Sequence, residues 1–358
     1  MKLIYSTSIT YPSPRANRIQ ILAMSKEFNK ILGKDFYLGA NIVKKVSGEY
    51  GAIVNFRQTK SFILAFKTLS FIKQEGVEIV YCREDKLLFF IIVYNTLFFH
   101  LKLKYFFEAH DIPPKKFLFR VVLNWCHGVV ALTTGLKKDI EALSVTRKII
   151  VASDGVDLSL FNEERGLSVQ KAFDLPLQKK IVLYTGHLYS WKGVDTLASA
   201  AKFFDDTVLF VFIGGTAIDT EMFKKKYSGI KNIVITGQRE HSEIPSYLKS
   251  ADVLVLPNSG KEAISRLYTS PIKMFEYMAS GKPIVASDLP SLREVLNSNN
   301  SVLFPSHDET ALADAIKKVL HDPLLASNIS KKAFMDVQEY IWEKRAKSIL
   351  AFIGEPFI

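Results

Sequence analysis

Short apolar runs alternate with amphipathic stretches along the whole chain. In the first half, KLIYS, the segments around Phe36–Leu38 and Glu78–Tyr81, KYFFEA and GVVALT read as buried strands. After the first of them, apolar residues recur at Ile21, Met24, Phe28, Ile31 and Leu32, the spacing of one helix face. In the second half the strands are IVLYTG, VLFVFIGG, NIVITG, DVLVLP and PIVAS, and EYIWEKRAKSILAFI closes the chain as an amphipathic helix. Strands alternating with helices predict parallel sheets covered by helices. The polar stretch from Phe161 to Gln170 is the natural break between two domains.

The longest apolar run, Leu87–Leu101, is too short to cross a bilayer, which takes about 20 apolar residues. It reads as a buried helix, with contact at a membrane interface as the alternative. The opening MKLIYSTSIT lacks the apolar core of a signal peptide and is expected to be the first strand.

A chain of 358 residues has room for two cores. Hydrophobic residues at 48 % and charged residues at 23 % exclude a disordered or fibrous class. Cys82 and Cys126 fit neither a disulfide framework nor a metal site, so a reducing, cytoplasmic setting is expected. The charge is lopsided. Residues 1–160 hold 23 Lys/Arg against 13 Asp/Glu, which accounts for +10 of the net +11. An anionic partner is expected on that half.

Parallel sheets bind ligands beyond the carboxyl ends of their strands. Unusual residues gather there: Ser6–Arg18, His110-Asp111, Gly186-His187, Gly214-Gly215, Pro257-Asn258 and Ser287-Asp288. His110 stands between Glu108 and Asp111 and is either a satisfied structural residue or a ligand contact. In YTGHLYSWKGVDTL, Lys192 and Gly193 precede a helix, an arrangement suited to phosphate and equally common on plain surfaces. Arg266, in the long loop before SPIK, either meets phosphate or is solvated.

SPIKMFEYMASG predicts a helix with Ser270 as cap, Pro271 at its first position and Gly281 as its left-handed stop. Glu276 falls on its apolar face with Ile272, Phe275 and Ala279. A carboxylate there needs donors. They come either from Lys273, one turn earlier, or from the hydroxyls of a ligand. Further on, Ser291 and Glu294 have the spacing of a capping box. The chain has no D-x-D, zinc, Walker or G-x-S-x-G pattern, and no G-x-G-x-x-G follows the first strand.

Together SPIKMFEYMASGKPIVASDLPSLREVL, YTGHLYSWKGVDTL, SDGVDLSLF, SADVLVLPNS and YPSPRANRIQ resemble glycosyltransferase family 4, retaining enzymes of the GT-B fold. The resemblance implies two Rossmann-like domains with parallel sheets facing a central cleft. Residues 1–163, with a crossover helix at about 342–358, would form the acceptor domain, and residues 164–341 the nucleotide-sugar domain. It implies that Glu276 binds the ribose hydroxyls, that Lys192 contacts the diphosphate, and that His110 lies near the donor sugar. Gly186, His187 and Gly214 fall in the donor loops. Arg15, Asn17 and Arg18 fall on the acceptor side.

Two positions depart from the family pattern. Tyr268 stands where many members have a second glutamate, which makes Thr269, Ser270 and Lys273 candidates for the sugar contacts. His187 replaces a frequent arginine, so Arg266 or backbone N–H groups are candidates for the second phosphate contact.

The function expected is transfer of a sugar from a nucleotide donor, UDP-linked ahead of GDP-linked, to a glycan or lipid-linked acceptor of surface-polysaccharide assembly. No metal and no further cofactor are expected. The alternatives are a non-catalytic binding subunit, or an epimerase or phosphorylase on the same fold. Lys115, Lys116 and Arg120, beside Phe117 and Phe119, point to an anionic membrane surface as a further partner. That would make the protein peripheral on the inner face of the cell membrane. Nucleic acid is not expected, since no recognition module is visible.

Overall fold

A computed structural model describes residues 1–11, 16–42, 48–57, 59–162 and 166–355, with Ala16, Asn17 and Ile42 described in backbone only. The chain forms two units. Met1–Asp154 and Trp342–Ile358 make the first, and Gly155–Ile341 the second. The crossing lies a few residues ahead of the polar stretch 161–170.

In the first unit, strands β1 (Leu3–Tyr11), β2 (Phe36–Ile42), β3 (Ala52–Asn55), β4 (Ile79–Cys82), β5 (Lys104–Ala109), β6 (Gly128–Ala131) and β7 (Lys148–Val151) form one parallel sheet ordered β3-β2-β1-β4-β5-β6-β7. The runs KLIYS and KYFFEA are β1 and β5. β3 (AIVN) and β7 (KIIV) are short apolar stretches at the two sheet edges, beyond the runs named from the sequence. Helices 61–75, 85–94 and 116–125 connect strands stepping in one direction. Right-handed crossovers therefore place them on one face, opposite helix 16–32. The C-terminal helix Trp342–Gly354 packs beside helix 16–32.

The second unit repeats the plan. Strands β8 (Lys180–Thr185), β9 (Val208–Ile213), β10 (Ile233–Gly237), β11 (Val253–Leu256), β12 (Ile284–Ser287) and β13 (Val302–Phe304) run parallel in the order β10-β9-β8-β11-β12-β13. Both sheets reverse direction beside their first strand, at β1/β4 and β8/β11. In open α/β sheets that reversal opens a crevice at the strand ends. Side chains of β8 alternate between two cores: Ile181 and Leu183 pack with Phe275 and Met278, Val182 and Tyr184 with Phe210 and Leu312.

Three expectations are corrected. The run Leu87–Leu101 is not buried throughout: it forms helix Asp85–Tyr94 and a wide turn Asn95–Phe99, with Leu97 and Phe98 exposed. The Glu276 helix starts at Ile272, and its N-cap position is Pro271 rather than Ser270. The capping box at Ser291 does not form. Helix 290–293 begins at Pro290, and the Ser291 hydroxyl donates to the Ser265 carbonyl at 2.8 Å.

Candidate functional site

The residues singled out in the second unit gather at the carboxyl end of β8. The chain leaves β8 through Gly186, whose φ of +129° is open to glycine alone. A Cβ on Gly214, at the end of β9, would stand 2.2 Å from the Gly186 carbonyl oxygen. A Cβ on Gly193 would stand 1.7 Å from the Pro257 carbonyl oxygen, so the loops after β8 and β11 touch through backbone. Ser259 N–H donates to Trp191 O at 3.1 Å across the same seam.

Helix 272–279 is anchored there by Tyr277, whose hydroxyl accepts from the Thr185 N–H at 2.8 Å. One turn earlier Lys273 reaches the strand end. Its Nζ lies 3.8 Å over the Tyr184 ring, is shut off from solvent and has no hydrogen-bond partner among the described residues. A Cβ on Gly186 would come within 3.6 Å of it. Burial holds the Lys273 pKa well below the usual lysine value. Lys192 pushes it the same way and Glu276 opposes. Lys192 lies over Trp191, Nζ 3.8 Å from the ring centre, and burial lowers its pKa to about 8. His187 stacks on Tyr189 at 4.9 Å, and Tyr189 on Trp191, so an aromatic ladder lines the loop that carries Lys192.

Burial and the neighbouring Lys192 both disfavour the ammonium form of Lys273, so an anion bound at this strand end would stabilise its charge. Asn258, fully buried at the end of β11, also leaves both side-chain polar atoms without partners.

Glu276 turns to His241 rather than to Lys273. The Nε2 of His241 lies 2.6 Å from its Oε1. Burial disfavours charge on His241, but the hydrogen bond and charge of Glu276 win and raise its pKa. His241 is not among the strand-end residues named from the sequence; its signal there is the polar loop GQREHSE at the end of β10. Arg266 donates to the Gly260 and Lys261 carbonyls of its own loop and is not directed toward the lysines. Thr269 and Ser270 lie between the 264–268 turn and the helix, Ser270 buried and Thr269 half-buried.

In the first unit His110 follows β5, its Nε2 2.7 Å from Oε1 of the fully buried Glu108. Gln20 and Tyr81 donate to the same carboxylate, and Arg345 of the C-terminal helix donates at 3.0 Å. Burial would raise Glu108, yet Arg345 and His110 hold it well below the carboxylate range. An ionised Glu108 accepts only, so His110 carries its proton on Nε2 and leaves Nδ1 as an acceptor. Burial, and next the Arg83 charge, lower His110 to about 4, so the ring is neutral near pH 7. The same burial raises the neighbouring Asp154 to about 6.

Arg15 lies outside the described residues, as does the side chain of Asn17. Arg18 donates to the Thr10 carbonyl at 2.9 Å. Lys115, Lys116 and Arg120 are exposed at the start of helix 116–125.

Residues 179–322 match the family model described as Glycosyl transferases group 1. The chain is 31 % identical over 208 residues to a phosphatidyl-myo-inositol mannosyltransferase of Mycobacterium leprae, covering 56 % of this chain and 53 % of that one. It is 27 % identical over 189 residues to a processive diacylglycerol alpha-glucosyltransferase of Acholeplasma laidlawii, 51 % of this chain and 54 % of that one. It thus spans about half the length of these curated relatives. Over 99 % of this chain and all of the other, the fold superposes on Anabaena HepE, solved with UDP, at a TM-score of 0.79 and 16 % identity. The architecture is that of GT-B glycosyltransferases.

Proposed function

We propose that this chain transfers a glycosyl group from a nucleotide-sugar donor held on the second unit to an acceptor held on the first, with retention and without a metal. The observation that carries the reading is the Lys273 ammonium. Its Nζ is buried, has no hydrogen-bond partner among the described residues, and is backed by Lys192 at the end of β8. A diphosphate carries enough negative charge to meet both lysines. Gly186, having no side chain, leaves the approach open. As the bond from the sugar to the phosphate breaks, negative charge grows on the leaving diphosphate. Fixed cations in a desolvated site stabilise that charge most.

Glu276, already oriented by His241, is assigned to the ribose hydroxyls, which donate to its free oxygen. Thr269, Ser270 and Lys273 stand in for the carboxylate that Tyr268 replaces. His110, neutral and with Nδ1 free to accept, suits a sugar hydroxyl. The UDP and UDP-glucose named with HepE support UDP as the nucleotide, and the lipid acceptors named in the relatives support a lipid-linked acceptor.

The test is a thermal-shift screen of UDP-, GDP- and ADP-sugars followed by product analysis with and without EDTA. A UDP-sugar at 100 times its dissociation constant should add about 2.7 kcal/mol of apparent stability. Transfer should survive EDTA. No shift with any nucleotide sugar would refute the donor assignment, and activity restored only by Mg²⁺ or Mn²⁺ would refute the metal-free mechanism.

A further inference from the structure

The face of the first unit formed by helices 61–75, 85–94 and 116–125 and the turn 95–99 carries a group of exposed aromatic side chains, among them Phe62, Phe66, Phe98, Phe117 and Trp125. On helix 85–94, Leu87, Leu88, Ile91 and Ile92 turn inward, which leaves Phe89, Phe90 and Tyr94 on the outer side. The rings there are in continuous contact. Trp125 stacks on Phe89 at 6.0 Å with an interplanar angle of 13°, and Phe89 meets Phe90 at 5.5 Å. Phe90 meets Phe62 and Tyr94, and Tyr94 in turn meets Phe66 and Phe98. Phe98 is 65 % exposed and Phe117, on the neighbouring helix, 81 %.

The display is held in place. Asn95 is buried beneath it, donating to the Leu101 carbonyl and the Tyr105 hydroxyl and accepting from the Leu101 N–H. The turn bearing Leu97 and Phe98 is therefore built, not frayed.

The rim of this face is basic. Lys86 lies one turn before Phe89 and Phe90, and Lys116 and Arg120 flank Phe117. All three are exposed, and none has a carboxylate partner among the described residues. A patch of connected aromatics far beyond scattered surface residues marks an interaction site.

We propose that this face seats in the interfacial layer of an anionic lipid bilayer. Aromatic rings with a basic rim match the apolar-to-headgroup boundary, where rings insert and cations meet phosphate. A second copy of the chain fits poorly, because a two-fold interface would use this same patch twice and gather two copies of its basic rim over one apolar contact. No described helix is long and apolar enough to cross a membrane, so attachment through this face would be peripheral. The proposal stands apart from the donor assignment, since all its residues lie in the first unit.

The test is co-sedimentation of the full chain with vesicles of phosphatidylglycerol and phosphatidylcholine, or of phosphatidylcholine alone, across a salt series. The parent should pellet with the anionic vesicles, release as salt rises, and partition far less onto neutral ones. Each basic side chain near an anionic leaflet changes partitioning about fivefold, so Lys86→Glu/Lys116→Glu/Arg120→Glu should lower it about 100-fold. Phe98→Ser/Phe117→Ser, both at exposed positions and so compatible with an unchanged Tm, should lower it at least tenfold. Equal binding to both vesicle types, no binding of the parent, or parent-like binding of either variant overturns the proposal. So does a concentration-dependent dimer that the serine variant abolishes without any vesicle binding.

Discussion

The Nε2 of His241 lies 2.6 Å from Oε1 of Glu276, and this pair, not the i,i+3 pair with Lys273, explains a carboxylate in an otherwise apolar helix. Lys273 is left without a hydrogen-bond partner among the described residues. A salt bridge between Lys273 and Glu276 would have joined the two groups; with Glu276 held by His241 they stay separate.

Lys273→Met should act in opposite directions on fold and function. Removing a buried ammonium without a hydrogen-bond partner relieves its desolvation, so Tm of the free protein should rise. The same change removes a charge aimed at the leaving group and should cut transfer by about 10²–10³. Differential scanning fluorimetry and initial rates decide it. A lower Tm with unchanged rate would contradict the assignment.

Donor affinity should fall as pH rises through about 8, because burial sets the Lys192 pKa there and only the charged form attracts phosphate. Below that pH the lysine is protonated and affinity is full. Lys192→Arg keeps its charge at all working pH values and should flatten the profile. Calorimetric titration with UDP from pH 6 to 9.5 reads both curves.

His241 contributes stability in a defined window. Its folded pKa is raised, so the stabilisation from Glu276 is fully present below the unfolded value of about 6.5 and is lost as pH rises through the folded value. The imidazole is partly exposed, which limits the effect to about 1 kcal/mol or less. His241→Ala should therefore cost stability at pH 6 and almost none at pH 9, as measured by urea unfolding at each pH.

Arg345 ties the C-terminal helix to the first unit through Glu108 at 3.0 Å and the Ser153 carbonyl at 3.0 Å. Arg345→Leu alone strands a buried carboxylate and should cost about 3–5 kcal/mol. Glu108→Gln/Arg345→Leu should cost less than the two single changes combined, since neither charge is then left alone. Urea unfolding of the three variants closes that cycle.

Much of the architecture follows from the sequence alone, because buried parallel strands must be continuous apolar runs and helices must repeat every 3.6 residues. KYFFEA and PIVAS, the left-handed stop at Gly281 and the amphipathic closing helix are legible for that reason. So is the anomaly of Glu276, since a charge on an apolar face always demands a partner. The partner itself is not legible. His241 sits 35 positions away, after a different strand, and only the parallel order β10-β9-β8-β11 brings their loops together. The edge strands β3 and β13 are only half-covered, and their apolar stretches AIV and VLF are too short for periodicity to separate a strand from other structure, so only their ladder pairing defines them. Periodicity likewise makes Leu87–Leu101 a helix that is apolar all round. Tertiary packing decides which side is covered: Ile91 faces the sheet, and Phe98 is left to solvent.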